Sequence, residues 1–293
     1  MEIDAIQQIR RFNRLVTRRN GALDQSFLGR GRPLGEARVI FEAGVAGAEL
    51  RALRATLGLD SGYASRLLRS LSAQGLIELS KPSGDARVRR IALTAKGRAE
   101  LAAYERLSNE QAQAMLAPLA ASERQRLLTA MAEVERLLRA SGVTVERESV
   151  TSPDARSCLD EYFRELAERF DFGFDPAKGG EVSEAEMTPP AGWFFLARLD
   201  GRPVGCGALR RLKAGVGEVK RMWTAPNARG LGVARRMITT IEATAREAGL
   251  KTLRLDTNRT LIEAQALYRK LGFVEIERYG HNPYADHWFE KRL

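Results

Sequence analysis

The sequence predicts a multidomain chain, with a mostly α unit over residues 1–141 followed by a mixed α/β (α+β) unit over 142–293. Length is the first ground, since 293 residues exceed the roughly 100 to 200 of one ordinary domain. Periodicity is the second. In the first half apolar residues recur at helical spacing, as at Ile9, Phe12 and Val16 and again at Leu127, Met131, Val134 and Leu138, one helix face each time. Beyond Ala140, Ser141 and Gly142 end the last helix, and short apolar runs at 193–197, 204–209 and 219–224 alternate with helical stretches. That is the pattern of a sheet covered by helices.

The chain is basic, with 47 Lys and Arg against 37 Asp and Glu and a net charge of +10, which points to a polyanionic partner. The charge lies in blocks. Residues 51–100 hold ten basic and four acidic side chains, 151–200 five and eleven, and 201–250 ten and three. No apolar run approaches the roughly 18 residues of a membrane span, and MEIDAIQQIRRF lacks the apolar core of a signal peptide, so a cytoplasmic protein without membrane association is expected. Cys158 and Cys206 make no disulfide framework, and with only His281 and His287 beside them no zinc spacing exists; small core cysteines and no metal are expected.

Within the first half, helices over 49–57 and 61–74 flank the turn Gly58, Leu59, Asp60, with Asp60 placed to cap the second. Residues 76–94 then read as a β-hairpin whose tip holds Pro82, Ser83, Gly84 and Asp85. Helix, turn, helix, hairpin is the winged helix-turn-helix order. On the second helix Ser61, Tyr63, Ser65, Arg66 and Arg69 are the candidates for reading DNA, while Leu67, Leu68 and Leu71 point to the core. Arg87, Arg89 and Arg90 on the hairpin flank them, as a minor-groove contact requires.

The stretch from Leu57 to Leu101 closely resembles the winged helix-turn-helix of the MarR family of bacterial regulators. Gly75-Leu76-Ile77 at the helix end, Asp85-x-Arg87 at the wing tip and Leu93-Thr94-x-x-Gly97 at its exit carry the likeness, which extends over about 2–140. It implies a homodimer formed through the first and last helices of this half, each wing bringing Asp85 and Arg87 to double-stranded DNA. Long helices over 101–138, richer in apolar surface than one small domain needs, give dimerisation its own motive. The operator would be an inverted repeat with half-sites roughly 10 base pairs apart.

The second half opens with a strand over 143–149 and a helix carrying Leu159, Tyr162, Phe163, Leu166 and Phe170 on one face; Asp200-Gly201 then turns a hairpin. The sharpest chemistry comes after a strand at 217–224. There Arg229-Gly230-Leu231-Gly232-Val233-Ala234 opens an amphipathic helix, offering amide N–H groups and the positive end of the helix dipole to a diphosphate. Neither G-x-x-x-x-G-K-[ST] nor G-x-G-x-x-G occurs here. Arg229-x-x-Gly232-x-Ala234 instead resembles motif A of the GNAT acetyltransferases. Asn258 and Leu267-Tyr268-x-x-x-Gly272-Phe273 resemble that family's second signature, so the likeness spans about 143–293.

The resemblance implies a GNAT acyl-CoA acyltransferase domain using acetyl-CoA as acyl donor. Its pyrophosphate lies on Arg229 to Ala234, its pantetheine arm pairs with the backbone of Met222, Trp223 and Thr224, and Asn258 also serves the cofactor. Tyr268, near the thioester sulfur, is the expected general acid. Glu218, on the strand entering the loop, is the candidate general base; the alternative is a carboxylate merely paired with Lys220 or an arginine. The acidic stretch 171–186, with its phenylalanines, suggests a cationic amine with an apolar part or a solvated loop, and His281, Tyr284 and His287 are further pocket candidates. The expected function is a bifunctional regulator and N-acetyltransferase acting on a primary amine of a small molecule. The residues leave open a domain that senses acetyl-CoA or amine, and one that acetylates protein lysines, including its own Lys81 or Lys96.

Overall fold

The computed structural model describes residues 2–80, 89–171, 173–175, 178 and 182–293; Lys81, Asp85 and Arg87 lie outside them. The chain divides into two compact units, Met1–Arg126 and Leu127–Leu293. No described helix is long and apolar enough to cross a membrane.

The N-terminal unit begins with α1 (Glu2–Arg19) and α2 (Leu34–Ala43). Then come β1 (Ala48–Glu49), α3 (Leu50–Leu57), α4 (Ser61–Ala73), β2 (Ile77–Ser80), β3 (Arg90–Leu93) and α5 (Ala95–Leu116). Asp60 caps α4 by accepting a hydrogen bond from the Tyr63 amide at 2.9 Å, and Thr94 caps α5 through the Gly97 amide at 3.0 Å. The strands form an antiparallel sheet in the order β1-β3-β2. Val39 and Ile40 of α2, Leu53 of α3 and Leu67, Leu68 and Leu71 of α4 close one core with Leu76, Ile91 and Tyr104.

A polar network pins these helices to one another. Arg30 grips both oxygens of Glu100 (2.9 and 2.7 Å) and Arg32 adds a third contact at 2.6 Å. Arg32 also donates to Gln74 at 2.7 Å, and Gln74 and Ser70 donate to Glu36 of α2 at 2.9 and 2.7 Å. Both carboxylates are buried, so each needs these donors. The hydrogen bond from Arg30 holds the Glu100 carboxyl below its usual range, burial opposing it.

The helix α6 (Ala121–Ser141) crosses the division between the units, whereas the sequence places its whole length in the first. Its C-terminal turns belong with the second unit, because Ala140 packs on that unit's core. The second unit continues with β4 (Val143–Glu148), α7 (Pro153–Arg169), β5 (Gly192–Leu199), β6 (Arg202–Lys213) and β7 (Val216–Thr224). It ends with α8 (Val233–Glu247), β8 (Thr252–Thr257), α9 (Ile262–Lys270), β9 (Val274–Ile276) and β10 (His287–Arg292). The sheet order is β4-β5-β6-β7-β8-β10-β9, antiparallel except where β7 meets β8.

Alternation along β5 sends successive side chains to opposite faces. Phe195 and Ala197 join α8 residues Met237 and Ile241 in one core; Phe194 and Leu196 join Ala155 and Cys158 of α7 in the other. Both cysteines are buried there. The β5–β6 turn is made by Asp200 (φ 51°) and Gly201 (φ 75°), left-handed conformations that suit a two-residue hairpin. On β6, a Cβ at Gly205 would lie 2.7 Å from the Trp223 carbonyl oxygen and 3.2 Å from Val233, so only glycine lets β7 and α8 approach so closely.

Glu100→Gln is expected to lower the unfolding free energy of the N-terminal unit by about 2 kcal/mol at pH 7. Because the folded-state value is depressed, the ion pairs stabilise above the ordinary carboxylate range and are lost as pH falls through the depressed value, so the deficit should shrink in acid. Urea melts at both pH values check this, and equal midpoints at pH 7 would refute it. Gly205→Ala should cost about 1–3 kcal/mol through overpacking, read as a lowered Tm of the C-terminal unit.

Candidate active site

The only parallel pairing in the described sheet is short. β7 and β8 match at Val216↔Thr252, Gly217↔Leu253 and Glu218↔Arg254 and then separate, while β7 stays paired with β6 as far as Gly205↔Thr224. Between Ala208↔Lys220 and Cys206↔Trp223 the register shifts by one residue, a β-bulge on β7. Arg221, inside it, has φ 57°, a backbone region costly for a residue with a side chain. One edge of Met222, Trp223 and Thr224 therefore faces an opening with no strand beside it.

The glycine-bearing turn comes at the end of that strand. Gly230 and Gly232 both have positive φ, 78° and 76°, and Gly232 caps α8 without a side-chain hydrogen bond. The first N–H groups of α8 thus have no helix partner and stand at the positive end of its dipole. Leu231 turns the other way, into the core, because alternate residues of so tight a turn face opposite sides. A groove lies over the opening and the turn, lined by Met222, Trp223, Thr224, Gly230, Val233 and Ala234.

Cations line this groove at Arg136, Arg169, Arg229, Arg235 and Lys270, against Glu165 and Glu263. Arg229 rests on Glu165 at 2.5 and 2.6 Å, which also accepts from the Trp223 indole at 2.9 Å and from Arg169 at 3.2 Å. From α6, Arg136 donates to the Gly230 carbonyl at 3.1 Å. A long, anionic, partly apolar molecule fits these walls, its charges toward the amides and arginines and its uncharged arm along β7.

A second, smaller cavity adjoins the first. Tyr162, Leu166, Met222, Leu261, Ala264 and Tyr268 line both, so Tyr268 stands at their junction. Burial pushes its phenol well above the usual tyrosine value, and raises that of Tyr162 to about 12. Both stay protonated at neutral pH, able to donate.

Glu218 lies in neither cavity. It is buried, accepts from Arg210 at 2.6 Å and from the Tyr279 hydroxyl at 2.9 Å, and lies 3.3 Å from Lys220. So enclosed by donors, it has the paired arrangement rather than the reach of a base. Asn258 lines the smaller cavity, not the groove; its amide donates to the Tyr284 carbonyl and its oxygen accepts from Thr260, bracing two loops. Tyr284 lines the cavity, whereas His281 and His287 do not, and His287 pairs with Glu275 at 2.6 Å. Phe170, Phe174 and Val182 supply cavity wall, but Asp171 turns to Arg259 and Glu186 to Arg210, so these carboxylates point outward.

The sequence reading missed Arg221, Asp256 and Glu165. Asp256 sits at the C-terminal end of β8, where ligands of open sheets with parallel strands gather, and that position was its available signal. Arg221 had none, since a bulge arises from pairing between strands. In the N-terminal unit Ser61, Tyr63, Ser65, Arg66 and Arg69 are all exposed on α4. Arg66 stacks over Tyr63 at 5.5 Å, and Lys96 donates to the Gln74 carbonyl at 2.9 Å.

Residues 159–273 match the model of the acetyltransferase (GNAT) family. An IAA acetyltransferase of Azospirillum brasilense is 37% identical over 145 residues, 49% of this chain and 90% of its own length. An uncharacterized N-acetyltransferase of Escherichia coli is 29% identical over 36% of this chain and 70% of its own. A GNAT-family acetyltransferase structure from Staphylococcus aureus, 20% identical, aligns with 52% of this chain and 99% of its own at a TM-score of 0.46. By its C-terminal half, and above all by the relative matched over nearly its whole length, the chain belongs to the acetyltransferase (GNAT) family and is an N-acetyltransferase.

Proposed function

We propose that the chain couples a MarR-type DNA-binding regulator, acting as a homodimer, to an N-acetyltransferase that moves acetyl from acetyl-CoA to a primary amine of a small molecule. The observation that carries the enzymatic half is the meeting of the large cationic groove and the smaller cavity at Tyr268. The pyrophosphate is held by Arg229 and by the backbone of Gly230 to Ala234, with Leu231 contributing only main chain. The pantetheine arm lies along Met222, Trp223 and Thr224. The acceptor enters from the smaller cavity, so its nitrogen meets the thioester carbonyl beside Tyr268. Tyr268 gives the departing thiolate its proton.

The regulatory half is supported by the exposed polar face of α4 and by apolar side chains left in solvent. On α1 these include Ile9 and Phe12; on α6, Met131 and Leu138. Such stripes call for a second surface, and a partner's matching helices would cover them. Arg66 and Arg69, exposed and in no salt bridge among the described residues, can turn to phosphates or bases.

Tyr268→Phe is expected to lower kcat about 10²-fold or more with little change in KM for acetyl-CoA, followed by thiol release. With its phenol raised, Tyr268 should add no alkaline limb to the rate profile below pH 10; unchanged kcat would remove it from the mechanism. In fluorescence anisotropy, binding to the protein's own upstream DNA should outlast binding to a scrambled duplex as salt rises. Arg66→Ala should relax that preference by about 1–3 kcal/mol. Equal binding to both duplexes would overturn the regulatory half.

A further inference from the structure

The smaller cavity carries information about the acceptor that the family does not supply, and reading it rests on the acetyl-transfer function proposed above. Its polar end is made by Lys220 and Arg221 of β7, Asp256 of β8, and Asn282. Lys220 is spent within the protein: its ammonium lies 2.7 Å from Asp256 and 3.3 Å from Glu218. Asp256 also accepts from Asn282 at 3.3 Å. Arg221 is different. Among the described residues it forms no salt bridge, and its guanidinium stands over the ring of Phe163 at 4.9 Å, with the Tyr162 hydroxyl nearby.

A half-buried guanidinium without a carboxylate is costly, and the left-handed backbone that aims it adds a second cost at the same residue. Both are met if a ligand brings the missing anion, for which a planar carboxylate is the matching fork. Opposite this end the walls are apolar. Phe174 packs on Tyr284 with ring centres 4.9 Å apart and edge-on to Phe170 at 5.7 Å, with Leu166 and Val182 beside them. Asp171 and Glu186 are engaged by Arg259 and Arg210, and neither lines this cavity among the described residues.

We infer that the acceptor is a free amino acid with an aromatic or large aliphatic side chain, its carboxylate held by Arg221 and its side chain against Phe170, Phe174 and Tyr284. Its ammonium, approaching beside Asp256, loses a proton to water. The nitrogen lone pair then bonds to the acetyl carbonyl carbon, the carbon–sulfur bond breaks, the sulfur takes a proton from Tyr268, and the nitrogen releases its second proton to water, from which Tyr268 regains its own. An N-acetylamino acid and the free thiol of CoA leave.

The test uses the full chain and begins with calorimetric binding of acetyl-CoA. Thiol release is then measured with phenylalanine, leucine, phenylalanine amide, phenethylamine and spermidine. Phenylalanine or leucine should exceed phenethylamine and spermidine in kcat/KM by about 30-fold or more, the scale of a lost charge-assisted pair. Arg221→Gln should collapse the phenylalanine-to-phenethylamine ratio toward one, and Arg221→Lys should restore part of it. Phenethylamine, the amide or spermidine matching the amino acids overturns the inference, as does an unchanged ratio in Arg221→Gln. So does acetyl-CoA binding with no amino acid turned over. Failure to bind acetyl-CoA would instead refute the underlying acetyl-transfer reading. The wild-type ratio decides the matter even if the variants do not fold.

Discussion

Two parallel strands that begin paired and then part impose the constraint on which the C-terminal unit depends. Up to Glu218 and Arg254 the backbone groups of β7 and β8 satisfy each other. The bulge at Arg221 then turns the strand, and the edge of Met222 to Thr224 is left with donors and acceptors that need partners. The turn at Gly230 and Gly232, the N-terminus of α8 and the phenol of Tyr268 all stand around that opening. Glu218 belongs to this account as an anchor. Held by Arg210, Lys220 and Tyr279, it fixes the apex from which the strands diverge.

Electrostatics sorts the two cavities. The groove gathers cations about a glycine turn, and Glu165 holds Arg229, Arg169 and the Trp223 indole together. On the proposed reading a diphosphate would compete with that carboxylate for Arg229, so the site starts organised but partly self-neutralised. In the smaller cavity Lys220 and Asp256 pair with each other, and among the described residues the charge that forms no salt bridge is Arg221, the one whose backbone is left-handed. Backbone strain at a charged residue lining a cavity is expected at functional positions and seldom in inert core.

What was legible in the sequence was local. Glycine spacing, the Asp60 cap, the Asp200-Gly201 turn and the face of α7 each follow from neighbours a few residues apart. The role of Glu218 was not legible, because a carboxylate on a strand looks the same whether it faces a cavity or three donors brought from β6, β7 and the segment before β10. Nor was the inward turn of Leu231, since loop spacing shows which residues surround a ligand and not which point away from it. Arg221 and Asp256 escaped for a related reason: one depends on a bulge, the other on where two strands separate, and both are facts of pairing across the sheet.

The helix α6 sets where the enzyme can be cut. Its C-terminal turns supply Ala140 to the second core and Arg136 to the rim of the groove, so the border of the enzyme as a physical object lies inside a helix and not at the loop beyond its end. A fragment cut before Val143 would lose a groove cation and open the core beneath β4. Any natural or engineered exchange of the leading unit for another must therefore carry most of α6 with the acetyltransferase, or repair what its loss uncovers.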